Sequence, residues 1–172
     1  MIVWRRECVK VIMVTDVIVK AAGAKGQGVF ALRDFATGAF ILRRRYGQIV
    51  QNHEIAQLSE EDQRHLCEVG WNTSAVLLPP GCYFNHACDP NAMRKGTHVF
   101  AWKPIRQGDE ITIDYRLNAF TNERCACACG SANCAGYFIL SFFALSEDRQ
   151  RMYLPYAPTF IQHEYRRRQL PA

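Results

Sequence analysis

Three cysteines fall within eight residues, Cys127-Ala128-Cys129-Gly130-Ser131-Ala132-Asn133-Cys134, in a C-x-C-x4-C spacing. Soft thiolates at such short spacing select zinc, and a closed structural zinc site takes four ligands. The fourth must come from elsewhere, so the fold has to bring a distant segment back to this one. Cys125 offers a second C-x-C register with Cys127, and spacing alone leaves the ligand set open. The eight cysteines of the chain read as thiols or metal thiolates, not as a disulfide set, because the N-terminus fails as a signal peptide. Glu7, Lys10 and Asp16 interrupt its apolar stretches, and no small-residue cleavage site follows. The expected compartment is intracellular and reducing, the cytoplasm or the nucleus. No run reaches the roughly 18 apolar residues of a membrane span.

With 172 residues, 49% of them hydrophobic, the chain is long enough for one domain with a real core. The formal charge of +5 is modest and decides nothing about partners. Its basic clusters, Arg5-Arg6, Arg43-Arg44-Arg45 and Arg166-Arg167-Arg168, read first as solvated surface. Clustered arginines also suit phosphates, so nucleic acid is admitted as a partner but not required.

The pattern along the chain is of many short strands. Val9 to Val19, Val29 to Leu32, Phe40 to Leu42, Gln48 to Val50, Val99 to Lys103 and Ile111 to Asp114 carry the β-prone residues. Ser59-Glu60-Glu61-Asp62 puts a hydroxyl cap and three acids at a helix start. Pro79-Pro80-Gly81 ends the segment that contains Ala75 to Leu78. Ser146 caps a helix towards Leu154, and Pro158 opens another through about Arg168. No clear strand is evident after Asp114, and no βαβ repeat is present.

Gly26-Gln27-Gly28-Val29-Phe30-Ala31 matches the G-x-G-x-x-A of dinucleotide-binding folds in form. That mechanism needs a helix to open at the glycines, and the residues that follow are β-prone. A plain turn explains the glycines better.

Tyr83-Phe84-Asn85-His86-Ala87-Cys88-Asp89-Pro90-Asn91 resembles the R-F-I-N-H-S-C-D-P-N motif of SET-domain lysine methyltransferases. Gly108-Asp109-Glu110-Ile111-Thr112-Ile113-Asp114-Tyr115 is similar to that family's G-E-E-L-T-F-D-Y. Lys25-Gly26-Gln27-Gly28 resembles its first motif, and the cysteine cluster its post-SET segment. The resemblance covers roughly Val17 to Phe138 in the correct order. It implies a mainly β fold (β+α) of several small sheets with a threaded, knot-like C-terminal segment, a short helical insert and a helical tail. The implied organisation is a SET domain over 1–118, a post-SET zinc segment over 119–138, and a tail over 139–172 packed on the same domain.

By this resemblance, Lys25, Gly26, Gln27, Gly28, Asn85, His86 and Phe138 hold S-adenosylmethionine. Tyr83, Ile113 and Tyr137 line the substrate channel, and Tyr115 is catalytic. Cys88, Cys127, Cys129 and Cys134 bind a structural Zn2+, because Gly130 to Gly136 continues the family pattern from the Cys127 register. Cys8, Cys67 and Cys82 are then expected to be buried apolar thiols. The implied activity is S-adenosylmethionine-dependent methylation of the ε-amine of a lysine presented by a protein.

Two departures are informative. Ile113 stands where the family carries Phe or Tyr; it is smaller and holds no water by a hydroxyl, so di- or trimethylation is expected. Arg44 stands, by direct count, where a channel tyrosine is usual, and Tyr46 replaces it only with a register shift. Rival readings are methylation of a small free amine or amino acid on this scaffold, and a silent zinc-stabilised module that binds nucleic acid through its arginines.

Overall fold

The computed structural model describes residues 12–14 and 16–170. Residues 9–11 and 15 of the first expected strand, with Arg5, Arg6 and Cys8, lie outside the described residues. The described residues form thirteen strands, in four small sheets, and three α-helices.

The first sheet carries the site. It runs β1 (Ile12–Val14), β2 (Val17–Ala21), β3 (Gln27–Ala31), β11 (Glu110–Ile113) and β8 (Asn85–His86). Burial alternates along β2 and β11, as a sheet with one packed face requires. Val17, Val19, Val29, Ala31, Ile111 and Ile113 thus enter one core with Phe35, Phe84 and Ile105. The glycine segment is a 3₁₀ turn, Gly23–Lys25, that leads straight into β3. Gly26 takes φ +79°, which a residue without Cβ adopts freely, and no helix follows.

The edge pairing of β8 with β11 is parallel, Thr112 opposite Asn85 and Ile113 opposite His86. Beside it, the Asn91 side chain acts as a substitute strand. Its amide donates to the Glu110 carbonyl at 2.9 Å, and its oxygen accepts from the Thr112 amide at 2.9 Å. The Asp89-Pro90-Asn91 turn is therefore fastened to the strand that ends in Asp114-Tyr115.

A second sheet runs β4 (Phe40–Arg43), β10 (His98–Ala101), β9 (Ala92–Lys95). A third, β5 (Tyr46–Gln51), β7 (Thr73–Leu77), β6 (Leu66–Gly70), forms the insert together with α1 (Glu60–Arg64). Ser59 caps α1: its oxygen accepts from the Asp62 amide at 3.1 Å, and its hydroxyl donates to the Asp62 carboxylate at 2.7 Å.

Contrary to expectation, strands do not stop at Asp114. The hairpin β12 (Phe120–Ala126) and β13 (Tyr137–Ser141) frames the cysteine cluster. Phe-Thr-Asn-Glu-Arg-Cys-Ala in β12 is polar and exposed, with no alternation to mark it as a strand. The tail forms α2 (Glu147–Tyr153) and α3 (Thr159–Gln169), with the Ser146 hydroxyl accepting from the Arg149 amide at 3.4 Å. Phe142, Tyr153, Phe160 and Ile161 bury against Met93 and Leu117 in a second core. No described helix is long and apolar enough to cross a membrane.

Candidate active site

Around β3, β8 and β11 a polar cradle forms. The Asn85 amide donates to the Gln27 carbonyl at 2.9 Å and to the Glu110 carboxylate at 2.7 Å, and Lys25 pairs with the same carboxylate. Gly28 lies at the bottom: a Cβ there would stand 2.8 Å from Glu110 Oε1 and 3.0 Å from Asn85 Nδ2. Bare backbone is required at this point. Lys25, Gln27, Gly28 and Asn85 are thus brought together. Glu110, to which the motif alone assigns no role, joins them.

His86 holds the next position. The Tyr115 amide donates to its Nδ1 at 3.2 Å, so the ring proton sits on Nε2, 3.5 Å from the Cys88 sulfur. Burial, aided by the Arg116 charge and opposed by Asp114, pushes its pKa down to about 4. The imidazole is therefore neutral, and its 3.6 Å approach to Asp114 is not an ion pair. Asp114 instead accepts a two-pronged bond from Arg116, at 2.8 and 2.7 Å. Phe138 stacks on His86 with ring centroids 3.9 Å apart.

A cavity of about 410 Å³ opens on the insert side. Arg44, Cys82, Phe84, Ile113 and Tyr115 line it, together with residues of α1, β6 and β12. Phe84 belongs to this lining, while the next two residues, Asn85 and His86, belong to the cradle. The Tyr115 hydroxyl donates to the Phe84 carbonyl at 2.6 Å. Burial pushes its pKa up to about 12, although 37% of the residue's surface remains open. Tyr83 and Tyr137 do not line this cavity. Tyr83 packs edge-on against His65, at 5.5 Å, and Tyr137 lies under the Arg124 guanidinium at 4.0 Å, beside a second cavity. Arg44, not Tyr46, occupies the wall where the direct count places it.

Cysteine chemistry separates into two groups. The sulfurs of Cys88, Cys127, Cys129 and Cys134 lie within 4.8 Å of one another, Cys88 and Cys127 at 3.9 Å. Tetrahedral zinc with bonds of about 2.3 Å sets its sulfurs about 3.8 Å apart, so this donor set fits the ion. Backbone amides already point at it, Cys88 N–H to Cys129 and Gly136 N–H to Cys134, each at 3.4 Å. Burial pushes the Cys127 thiol up to about 11 and raises Cys88 further. For Cys129 burial also pushes upward, but the Cys88 amide and the Ser131 hydroxyl and amide overcome it and hold the thiol near 6. Cys125 stays outside the cluster. Contrary to expectation, Cys67 is not in apolar surroundings: it accepts from Asn118 at 3.1 Å and from Arg44 at 3.6 Å. Cys82 is half-buried on the cavity wall.

A strand-bound cradle, a neutral histidine held by the backbone of Tyr115, and a four-cysteine cluster define a class of fold, and comparison with known proteins agrees. The model of the SET domain family matches residues 26–116, just over half of the chain, and the chain belongs to that family. It is 30% identical over 130 residues to Histone-lysine N-methyltransferase Set2 of Drosophila melanogaster, covering 66% of this chain and 6% of that protein. It is also 30% identical over 132 residues to Histone-lysine N-methyltransferase, H3 lysine-36 specific, of Saccharomyces cerevisiae, covering 66% and 18%. The methyltransferase domain of human Histone-lysine N-methyltransferase SETMAR shares the fold, with a TM-score of 0.55 and 20% identity over 72% of this chain and 57% of that one. The chain spans less than a fifth of the length of these two curated relatives.

Proposed function

We propose that the chain is an S-adenosylmethionine-dependent methyltransferase acting on the ε-amine of a lysine in a protein, with room for di- or trimethylation. One observation carries it: the Tyr115 hydroxyl stands at a cavity wall while the same residue's amide holds His86 beside the glycine cradle. The names of the curated relatives support the substrate class.

The cradle suits the cofactor. Gly28 lets the Glu110 carboxylate and the Asn85 amide sit against bare backbone, and with Lys25 they offer both signs of charge and an amide to an amino-acid group. Bound S-adenosylmethionine supplies an electrophilic methyl group on a sulfonium. The residues of the chain must then supply a neutral, aligned amine. Making lysine neutral near pH 7.5 costs about 4 kcal/mol against an ordinary pKa of about 10.4. Phe84, Cys82 and Ile113 give the cavity apolar walls, and the Arg44 charge beside them also disfavours an ammonium. Tyr115 is not the base. Its own proton is committed to the Phe84 carbonyl and its pKa is near 12, so its oxygen is left to accept from the amine and fix its direction. Ile113, 5% exposed on this wall, fills less space than an aromatic ring and anchors no water. The cysteine cluster would hold structural zinc, tying Cys88, two residues after His86, to β13 and Phe138.

The test is transfer of labelled methyl groups from S-adenosylmethionine into a lysate. Label in protein lysine supports the reading. Label confined to small amines, or salt-sensitive nucleic-acid binding with no cofactor uptake, contradicts it.

A further inference from the structure

Among the described residues, two arginines are buried with no ion pair to an acid. Arg44 is 3% exposed and Arg94, on β9, 4%. Among the described residues, the side-chain hydrogen bonding of Arg44 consists of a 3.6 Å contact from Nη2 to the Cys67 sulfur. Nε of Arg44 and Nη2 of Arg94 are buried without a hydrogen-bond partner among the described residues. Burial, and then the charge of Arg44, pushes Arg94 down to about 10, so the two cations oppose each other.

The chain is shaped around this arrangement. Gly81 passes so close that a Cβ would lie 3.1 Å from Arg44 Cγ and 3.2 Å from its Cβ. Buried cations carry a heavy desolvation penalty unless an anion compensates them. The acids of the cavity do not. Glu68 lines it, yet its Oε2 has no partner and burial raises its carboxyl above the usual range. Glu123 also lines the cavity without an ion pair among the described residues. Arg64, the other lining arginine, is already paired with Glu60.

We propose that Arg44, backed by Arg94, is the recognition site for a carboxylate that enters the Tyr115 cavity with the substrate, namely an acidic side chain close to the target lysine. The source of the carboxylate rests on the protein-lysine reading; the binding chemistry rests on the cavity alone. A guanidinium fork matches a carboxylate and holds it by two parallel bonds. The anion would also offset the two charges that the fold leaves uncompensated.

The test joins a binding readout to an activity readout on the full chain. Thermal unfolding is followed with added glutarate for the wild type, Arg44→Met and Arg44→Lys. Methyl transfer is measured on peptides holding one lysine among neutral residues, with a single glutamate moved through the flanking positions, and on free lysine. Glutarate should stabilise the wild type and leave Arg44→Met unmoved. At one position glutamate should raise kcat/KM about tenfold for the wild type, equivalent to about 1.4 kcal/mol, with no preference in Arg44→Met. Without glutarate, Arg44→Met should melt no lower than the wild type, because an uncompensated cation has been removed. Should Arg44→Met not fold, Arg44→Lys carries the test, with a weakened glutarate response expected. A wild type indifferent to glutarate and to glutamate, or variants that respond as it does, overturns the proposal. An Arg44-dependent glutarate effect with no peptide methylated leaves the carboxylate site standing and removes the protein-lysine reading. Free lysine preferred over every peptide makes its α-carboxylate the source.

Discussion

On the proposed reading, Tyr115 and Ile113 divide the work of the cavity between alignment and capacity. Tyr115→Phe removes the oxygen that fixes the amine while keeping the ring, so kcat should fall about a hundredfold or more with the fold unchanged. Single-turnover kinetics beside a circular dichroism spectrum checks this. Ile113→Tyr fills the space in which a second methyl would sit, and product mass spectra should then shift towards monomethylation. Wild-type spectra that hold only monomethyl product at saturating cofactor would reject the reading of Ile113. Both positions were legible through the resemblance of residues 108–115 to a SET motif, in which each has a fixed place. Glu110 and Arg44 were less so. The role of Glu110 depends on a carboxylate reaching Lys25 and Asn85, which are 85 and 25 positions away. That of Arg44 depends on a glycine, Gly81, distant in the chain. Tyr83 and Tyr137 show the converse: their ring directions were settled by His65 and Arg124, which no motif names.

Elements position these residues through two joints. The first is the parallel pairing of β8 with β11 above Gly28. Gly28→Ala inserts a methyl group against Glu110 and Asn85 and should cost about 1–3 kcal/mol as overpacking, together with loss of cofactor binding by calorimetry. The second is the four-cysteine cluster, which sets the β12–β13 hairpin against the turn over residues 85–88. The proposed structural zinc would contribute on the order of 10 kcal/mol at such a site. A chelator, or Cys88→Ala, should therefore lower the melting temperature and loosen Phe138 from His86; one tightly bound zinc retained by Cys88→Ala would contradict the ligand assignment. The cysteine spacing pointed to a metal and the SET resemblance to Cys88, while the hairpin around them stayed hidden because β12 is polar and largely exposed. Tertiary pairing, not local pattern, makes it a strand.

At the scale of the molecule, the helical tail meets the insert. Trp71, at the β6–β7 turn, packs edge-on against Phe120 at 4.8 Å and Phe160 of α3 at 5.4 Å, and Arg168 covers Phe143 at 3.7 Å. The tail thus braces one flank of the cavity, a contact invisible in a sequence where Trp71 and Phe160 stand far apart. The pH response also belongs to this scale. Activity should rise with pH from 7 towards 10 as the target amine loses its proton. Tyr115 adds no descending limb there, because its pKa is about 12. Its raised pKa stabilises the fold below about 10, where an unfolded tyrosine is still neutral, and that contribution is lost as pH rises towards 12. The central claim is that this cavity and cradle align a protein lysine for methyl transfer. Its most direct test is the mass spectrum of lysate proteins incubated with isotope-labelled S-adenosylmethionine and either wild type or Tyr115→Phe. The account predicts labelled methyl groups on lysine with the wild type and near-complete loss with the variant. Equal labelling by both, or none on protein lysine with the wild type, would contradict it.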